Sequence, residues 1–178
     1  MKKILIMLTV AAGVTFTACN ENRQNETSTD TAVITEEETT GEDQAEREPG
    51  AFKEYLELKD ALVESNAEEA GEEAENLHEE LNNLQVSGED MEGARAHAQH
   101  IASVDNIEEQ RNAFAELSQH FIRLAKEGAF GDQEYYVQHC PMALDNKGAD
   151  WISGEEEIRN PYFGDQMLTC GEVVEEVR

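Results

Sequence analysis

The segment DNIEEQRNAFAELSQHFIRLAKEG, residues 105–128, decides the fold. Ile107, Phe114, Leu117, Phe121 and Leu124 recur at helical spacing and form one apolar stripe, while Glu, Arg and Lys take the other positions. Asp105 with Glu108 has the form of a helix start, and Gly128 of a helix end. Three further segments upstream carry thinner stripes. Phe52, Tyr55, Leu56, Leu62 and Val63 mark a helix opened by Pro49-Gly50. Asn66 and Glu69 form a capping-box pattern before Ala67, Ala70, Ala74, Leu77, Leu81 and Leu84. Ser87-Gly88 breaks the chain, and Met91, Ala94, Ala98 and Ile101 mark a shorter third helix. Short connections force neighbours to run antiparallel, so the reading is a mainly α fold: an antiparallel four-helix bundle over residues 51–128.

Outward from the bundle, the N-terminal end reads as an export signal. Lys2 and Lys3 precede the apolar run Ile4–Val14, and small residues lead to Phe16-Thr17-Ala18-Cys19, which predicts a signal peptide over 1–18 and a lipid-modified Cys19. The apolar run is too short to span a bilayer. Residues 19–50 hold Asn, Thr, Glu, Asp and Gly with little besides Val33 and Ile34 that could be buried, which predicts a lipidated, acidic leash in the cell envelope, on its periplasmic or outer-membrane face. The chain carries 40 acidic against 13 basic residues, a formal net charge of −27, which makes nucleic acid and anionic headgroups poor partners and leaves the lipid as the only membrane contact.

Downstream, residues 129–178 change period and read as a small irregular or β-hairpin cap packed on the bundle. Tyr135, Tyr136 and Val137 predict a strand that delivers His139 and Cys140. Asp145–Gly148 is a turn, Ser153 with Glu156 caps a short helix that Asn160-Pro161 stops, and Val173, Val174 and Val177 return as a strand. Met167 and Cys170, three apart, share a side of a helical turn. If the returning strand pairs with 135–139, Cys140-Pro141-Met142 and Met167–Cys170 meet. Cysteine and methionine select Cu(I) among metals, with His139 as an optional donor. A Cys140–Cys170 disulfide makes the same demand of the fold and is worth about 3–4 kcal/mol. Trp151 either covers a cation or anchors the cap.

The runs YYVQHCPMA (135–143), GADWIS (148–153), EIRNPYFG (157–164) and MLTCG (167–171) resemble the envelope domain of unknown function numbered 3347, over residues 51–178. Members of that family occur alone as secreted proteins or lipoproteins, or fused to periplasmic adaptors of heavy-metal efflux systems. The resemblance implies copper or heavy-metal handling and an efflux adaptor as partner. Cys140-Pro141-Met142 is also similar to the Cys-Pro-Met-His signature of heavy-metal-binding segments, with Ala143 in place of its histidine.

Enzymatic readings find little support. His139 and Cys140 are adjacent in a strand and point to opposite faces, so they cannot act as base and nucleophile. Glu75-x-x-His78 occurs once, short of a di-iron core, and His97, His100 and His120 read as surface or seam residues. The expectation is a non-enzymatic, membrane-tethered protein that binds Cu(I) or another soft metal through Cys140, Met142, Met167 and Cys170, for buffering or hand-over to efflux. The alternative is a disulfide-stabilised interaction module that binds no metal and docks on an envelope or efflux partner.

Overall fold

The computed structural model describes residues 50–178. The expected signal peptide, Cys19 and the expected leash up to residue 49 lie outside the described residues. Four helices follow one another as expected: α1 (Gly50–Val63), α2 (Ala67–Asn83), α3 (Glu89–Ala102) and α4 (Ile107–Lys126). Each packs on the next in sequence. No described helix is long and apolar enough to cross a membrane.

Local chemistry sets the helix ends. The Asn66 side chain accepts the Glu69 N–H at 3.3 Å, and its amide donates to the Glu69 carboxylate at 2.8 Å. α4 starts one residue later than the Asp105 reading, because Asn106 Oδ1 takes the Glu109 N–H at 3.0 Å. At the far end Gly128 adopts a φ of 77°, and the Ala129 N–H reaches back to Leu124 O at 3.0 Å, closing the last turn.

The core joins the helical stripes to the C-terminal third. Ala70 and Ala74 are fully buried and let α2 approach its neighbours, beside Leu58, Leu62, Leu77, Leu81, Met91 and Ile101. Aromatic rings fill the space between α1 and α4. Tyr55 stacks on Phe121 at 4.1 Å and on Phe114 at 5.3 Å between centroids, and Phe121 stacks in turn on Phe130 at 4.2 Å.

After α4 the chain forms β1 (Tyr135–Cys140), β2 (Ala149–Ser153) and β3 (Glu172–Val177). They make an antiparallel sheet in the order β2-β1-β3, so the cap holds one strand more than a hairpin. Gln138 lies opposite Trp151, and His139 opposite Asp150. On the other side Val137 pairs with Glu175 and Gln138 with Val173, which leaves Val174 as the extra residue of a bulge.

Two local expectations are corrected here. Ser153 does not start a helix: it ends β2, and its Oγ accepts the Glu155 N–H at 3.1 Å. Gln138 Nε2 instead gathers the carbonyls of Glu155, Glu156 and Glu157 at 2.8–3.2 Å, holding that segment in an open curve against the sheet. Met167 and Cys170 share a tight turn after a 3-10 turn (Gly164–Gln166), with the Cys170 N–H on Met167 O at 3.0 Å, and not a turn of α-helix.

Three polar contacts fix the sheet to the bundle. The Tyr55 hydroxyl lies 2.7 Å from Ser118 Oγ on α4 and accepts the Ile152 N–H of β2 at 3.2 Å, and burial pushes its pKa up. Arg159 pairs with Asp60 at 3.1 Å. Arg111, 4% exposed, donates to Leu62 O, Ser65 Oγ and Pro161 O at 2.8–3.0 Å, joining the end of α1, α4 and the loop after β2. Gly164 sits so close to this junction that a Cβ would lie 2.5 Å from Ser65 Oγ, and its φ is +54°.

Candidate functional site

Strand β1 presents its chemistry to two faces. Cys140 ends the strand and is fully buried; Cys170 immediately precedes Gly171 and β3 and is half-buried. Pairing of His139 with Glu172 brings these positions together, and the two sulfurs stand 3.0 Å apart. Asn160 Nδ2 donates to Cys170 O at 2.8 Å and so fixes the second cysteine's backbone. Burial and the neighbouring sulfur raise the Cys170 thiol pKa, the contact with Cys140 being the larger cause. Trp151, fully buried and edge-on to Tyr162 at 5.8 Å, lies against Gly171 and anchors this corner.

His139 faces the other way. Its Nδ1 meets Asp150 Oδ1 at 2.6 Å, across the β1–β2 pair. Met142, 45% exposed, lies on the turn after β1, and Met167 is half-buried. The fold therefore brings Cys140 and Cys170 together and turns His139 away from them. Among the described residues, no third histidine, cysteine or carboxylate atom gathers with the sulfur pair; the one such cluster is Glu54, Glu57 and Glu73, on α1 and α2.

That cluster lies in the helical bundle. Residues 51–133 match the family described as Protein of unknown function (DUF3347). No curated protein and no solved structure matches the chain. The DUF3347 match covers all four helices and stops two residues before β1, so the sulfur pair and His139 lie beyond it. Within it, Lys53 supplies the counter-charge to the carboxylates, 2.6 Å from Glu57 and 3.3 Å from Glu54. Burial raises the Glu54 pKa, with Lys53 opposing.

Histidines in the DUF3347 region line the seams between helices. His78 Nδ1 lies 3.0 Å from Arg95 O, and His120 Nδ1 lies 2.8 Å from Asp90 Oδ1. His97 stacks on His120 with centroids 5.7 Å apart. Burial holds the His97 pKa below the usual imidazole range; His120 and His100 add to this and Glu116 opposes it. The folded state thus favours neutral His97, and the unfolded chain takes its proton first as pH falls. Its stability contribution is complete above about pH 6.5 and declines below that, towards the lower folded-state pKa. His97→Gln removes this decline, a flattening that urea midpoints measured between pH 7 and pH 5 would show.

The residues that sequence reasoning passed over are Asp150 and Arg111. Asp150 becomes visible only with the hairpin register, whereas Arg111 had a signal: it sits on the α4 stripe, four after Ile107 and three before Phe114.

Proposed function

We propose that the protein is an exported, non-enzymatic interaction module, lipid-anchored at Cys19, whose C-terminal sheet is closed by a Cys140–Cys170 disulfide and which docks on a heavy-metal efflux partner in the envelope. The observation that carries this reading is the 3.0 Å separation of two sulfurs at the β1–β3 junction, one of them fully buried. A bond between them needs an approach of about 1 Å. A tetrahedral metal held by both at the usual thiolate distance would instead part them to about 3.8 Å and call for further donors. Export places such a pair where thiols are oxidised.

A second reading rests on Met167, which closes one tight turn with Cys170. In the reduced protein Cys140, Met142, Met167 and Cys170 would then hold Cu(I) for buffering or hand-over, soft donors that suit that ion.

Protein purified from the envelope without reductant and alkylated before unfolding should show a mass two hydrogens short and no alkyl groups. Cys140→Ser then lowers the unfolding free energy of the oxidised protein by about 3–4 kcal/mol. Retained copper, or uptake of one Cu(I) from a chromogenic chelator that Met142→Leu and Met167→Leu weaken, would turn the assignment to the metal. The oxidised protein should also retain a purified efflux adaptor on a column, and absence of that retention would remove the docking role while leaving the disulfide intact.

A further inference from the structure

On the face of β1 opposite the sulfurs, a cavity of about 400 Å³ opens between α4 and the β1–β2 hairpin. Its apolar floor comes from Ala115 and Ile122, and its rim carries Arg123, His139, Lys147 and Asp150. We propose that this cavity binds a small oxyanion, a phosphate or carboxylate group, between Lys147, Arg123 and the outer edge of the His139 ring.

Charge selects the ligand class. Asp150 accepts from His139 Nδ1 at 2.6 Å, which fixes the ring and leaves Nε2–H of the doubly protonated imidazole as the donor open to an anion. Arg123 is braced by Asp90 through Nε at 2.7 Å, and its other contacts run through Nη2, so Nη1 has no partner among the described residues. Lys147 is exposed and forms no ion pair among the described residues. Other hollows differ. Those along α2 are walled by Glu68, Glu72 and further carboxylates, and the one beside Tyr135 sets Lys126 and Arg178 against Asp132 and Glu175. In a chain of net charge −27, this rim sets two cations and an imidazole against a single lining carboxylate, Asp150, which His139 already engages.

The hairpin turn is built to hold this rim. Leu144, Asp145 and Asn146 all have positive φ, 52°, 59° and 64°. Successive left-handed residues cost about 1–2 kcal/mol each outside glycine, so surrounding contacts must enforce them. The Gly148 N–H on Ala143 O at 3.1 Å and the Asn146 N–H on Met142 O at 3.3 Å do so. The result places Leu144 in the cavity wall and carries Lys147 to the rim. Gly148 then lies so close to the imidazole that a Cβ would stand 2.8 Å from His139 Cε1, so the missing side chain is what leaves room for the ring in this position.

Inorganic phosphate and citrate, titrated separately into the exported protein at low ionic strength, test the site and distinguish tetrahedral from carboxylate oxyanions. At least one should bind saturably and raise the melting temperature, with affinity falling as salt is added. Lys147→Gln, a change on an exposed side chain, should leave the ligand-free melting temperature unchanged and weaken binding about 10-fold or more. His139→Gln should weaken it as well. Lys53→Gln, on α1 and outside the cavity lining, should not. Absence of saturable binding of both anions up to on the order of 10 mM, or equal affinity in Lys147→Gln and the parent, overturns the proposal.

Discussion

Phe121→Ala lowers the unfolding free energy by about 3–5 kcal/mol. The ring is fully buried and stacks on both Tyr55 and Phe130, with Phe52 a further 6.1 Å away. Removing it deletes the apolar area and leaves a void between α1, α4 and the segment after α4. Rigid aromatic neighbours refill such a void poorly, because interiors are close-packed and rings move as blocks. Leucine at the same position restores part of the volume and should recover roughly half of the loss. Val174→Ala is the contrast: this side chain is 53% exposed on the bulge, and its loss should fall within about 0.5 kcal/mol. Urea unfolding of the three variants gives the ranking. Equal losses for Phe121→Ala and Val174→Ala would mean that the aromatic cluster is not the centre of the core.

Arg111→Ala has a comparable effect by a different route, about 3–5 kcal/mol. The guanidinium is buried and donates to two carbonyls, Leu62 O and Pro161 O, and to Ser65 Oγ. Its partner carboxylate, Glu108, is 71% exposed and contributes little. Truncation therefore costs mainly through stranded carbonyl oxygens, each about 1–3 kcal/mol when buried without a donor. Arg111→Lys keeps the charge but cannot form the planar fork, so it should recover less than half. Hydrogen exchange adds a spatial readout. Protection should drop at Gly164, whose N–H bonds Asn160 O in the loop beside Pro161, more than in the middle of α2. Uniform loss across the chain would place the role of Arg111 in general stability and not at this junction.

The two residues explain what could be read in advance. Capping residues and the 3.6-residue period mark helix ends to within a residue or two, because those signals act locally. The stripe on α4 also held polar side chains, Arg111 and Ser118, at positions facing the core, and each proves to satisfy a distant group: backbone carbonyls for one, the Tyr55 hydroxyl for the other. A polar residue inside an apolar stripe was the signal, but its partners lie 46–63 residues away along the chain for these contacts. β2 was hidden for a related reason. Ala149, Trp151, Ile152 and Ser153 are all buried, so no alternation announces a strand, and the acidic residues after Ser153 imitate a helix start. The amide of Gln138 outcompetes that helix by taking three carbonyls in succession.

The meeting of Cys140 and Cys170 followed from one condition, the pairing of β3 with β1, which the valines near the chain's end suggested. The role of His139 did not follow. Strand alternation already set it on the face opposite Cys140, but its partner Asp150 depends on a hairpin register set by the left-handed turn.

The Tyr55 hydroxyl joins residues 97 apart, and Arg159 reaches back 99 to Asp60, whereas the helices pack on their neighbours in sequence. Neighbouring helices have only short loops to close, so the bundle can form early; the sheet must wait for its last strand. Until β3 arrives, the central strand of the finished sheet is an edge with unpaired backbone groups, open to pairing with other chains. The acidic final strand thus has a kinetic duty as well as a structural one. It seals the open edge of the nascent sheet, and among the described strands it does so last.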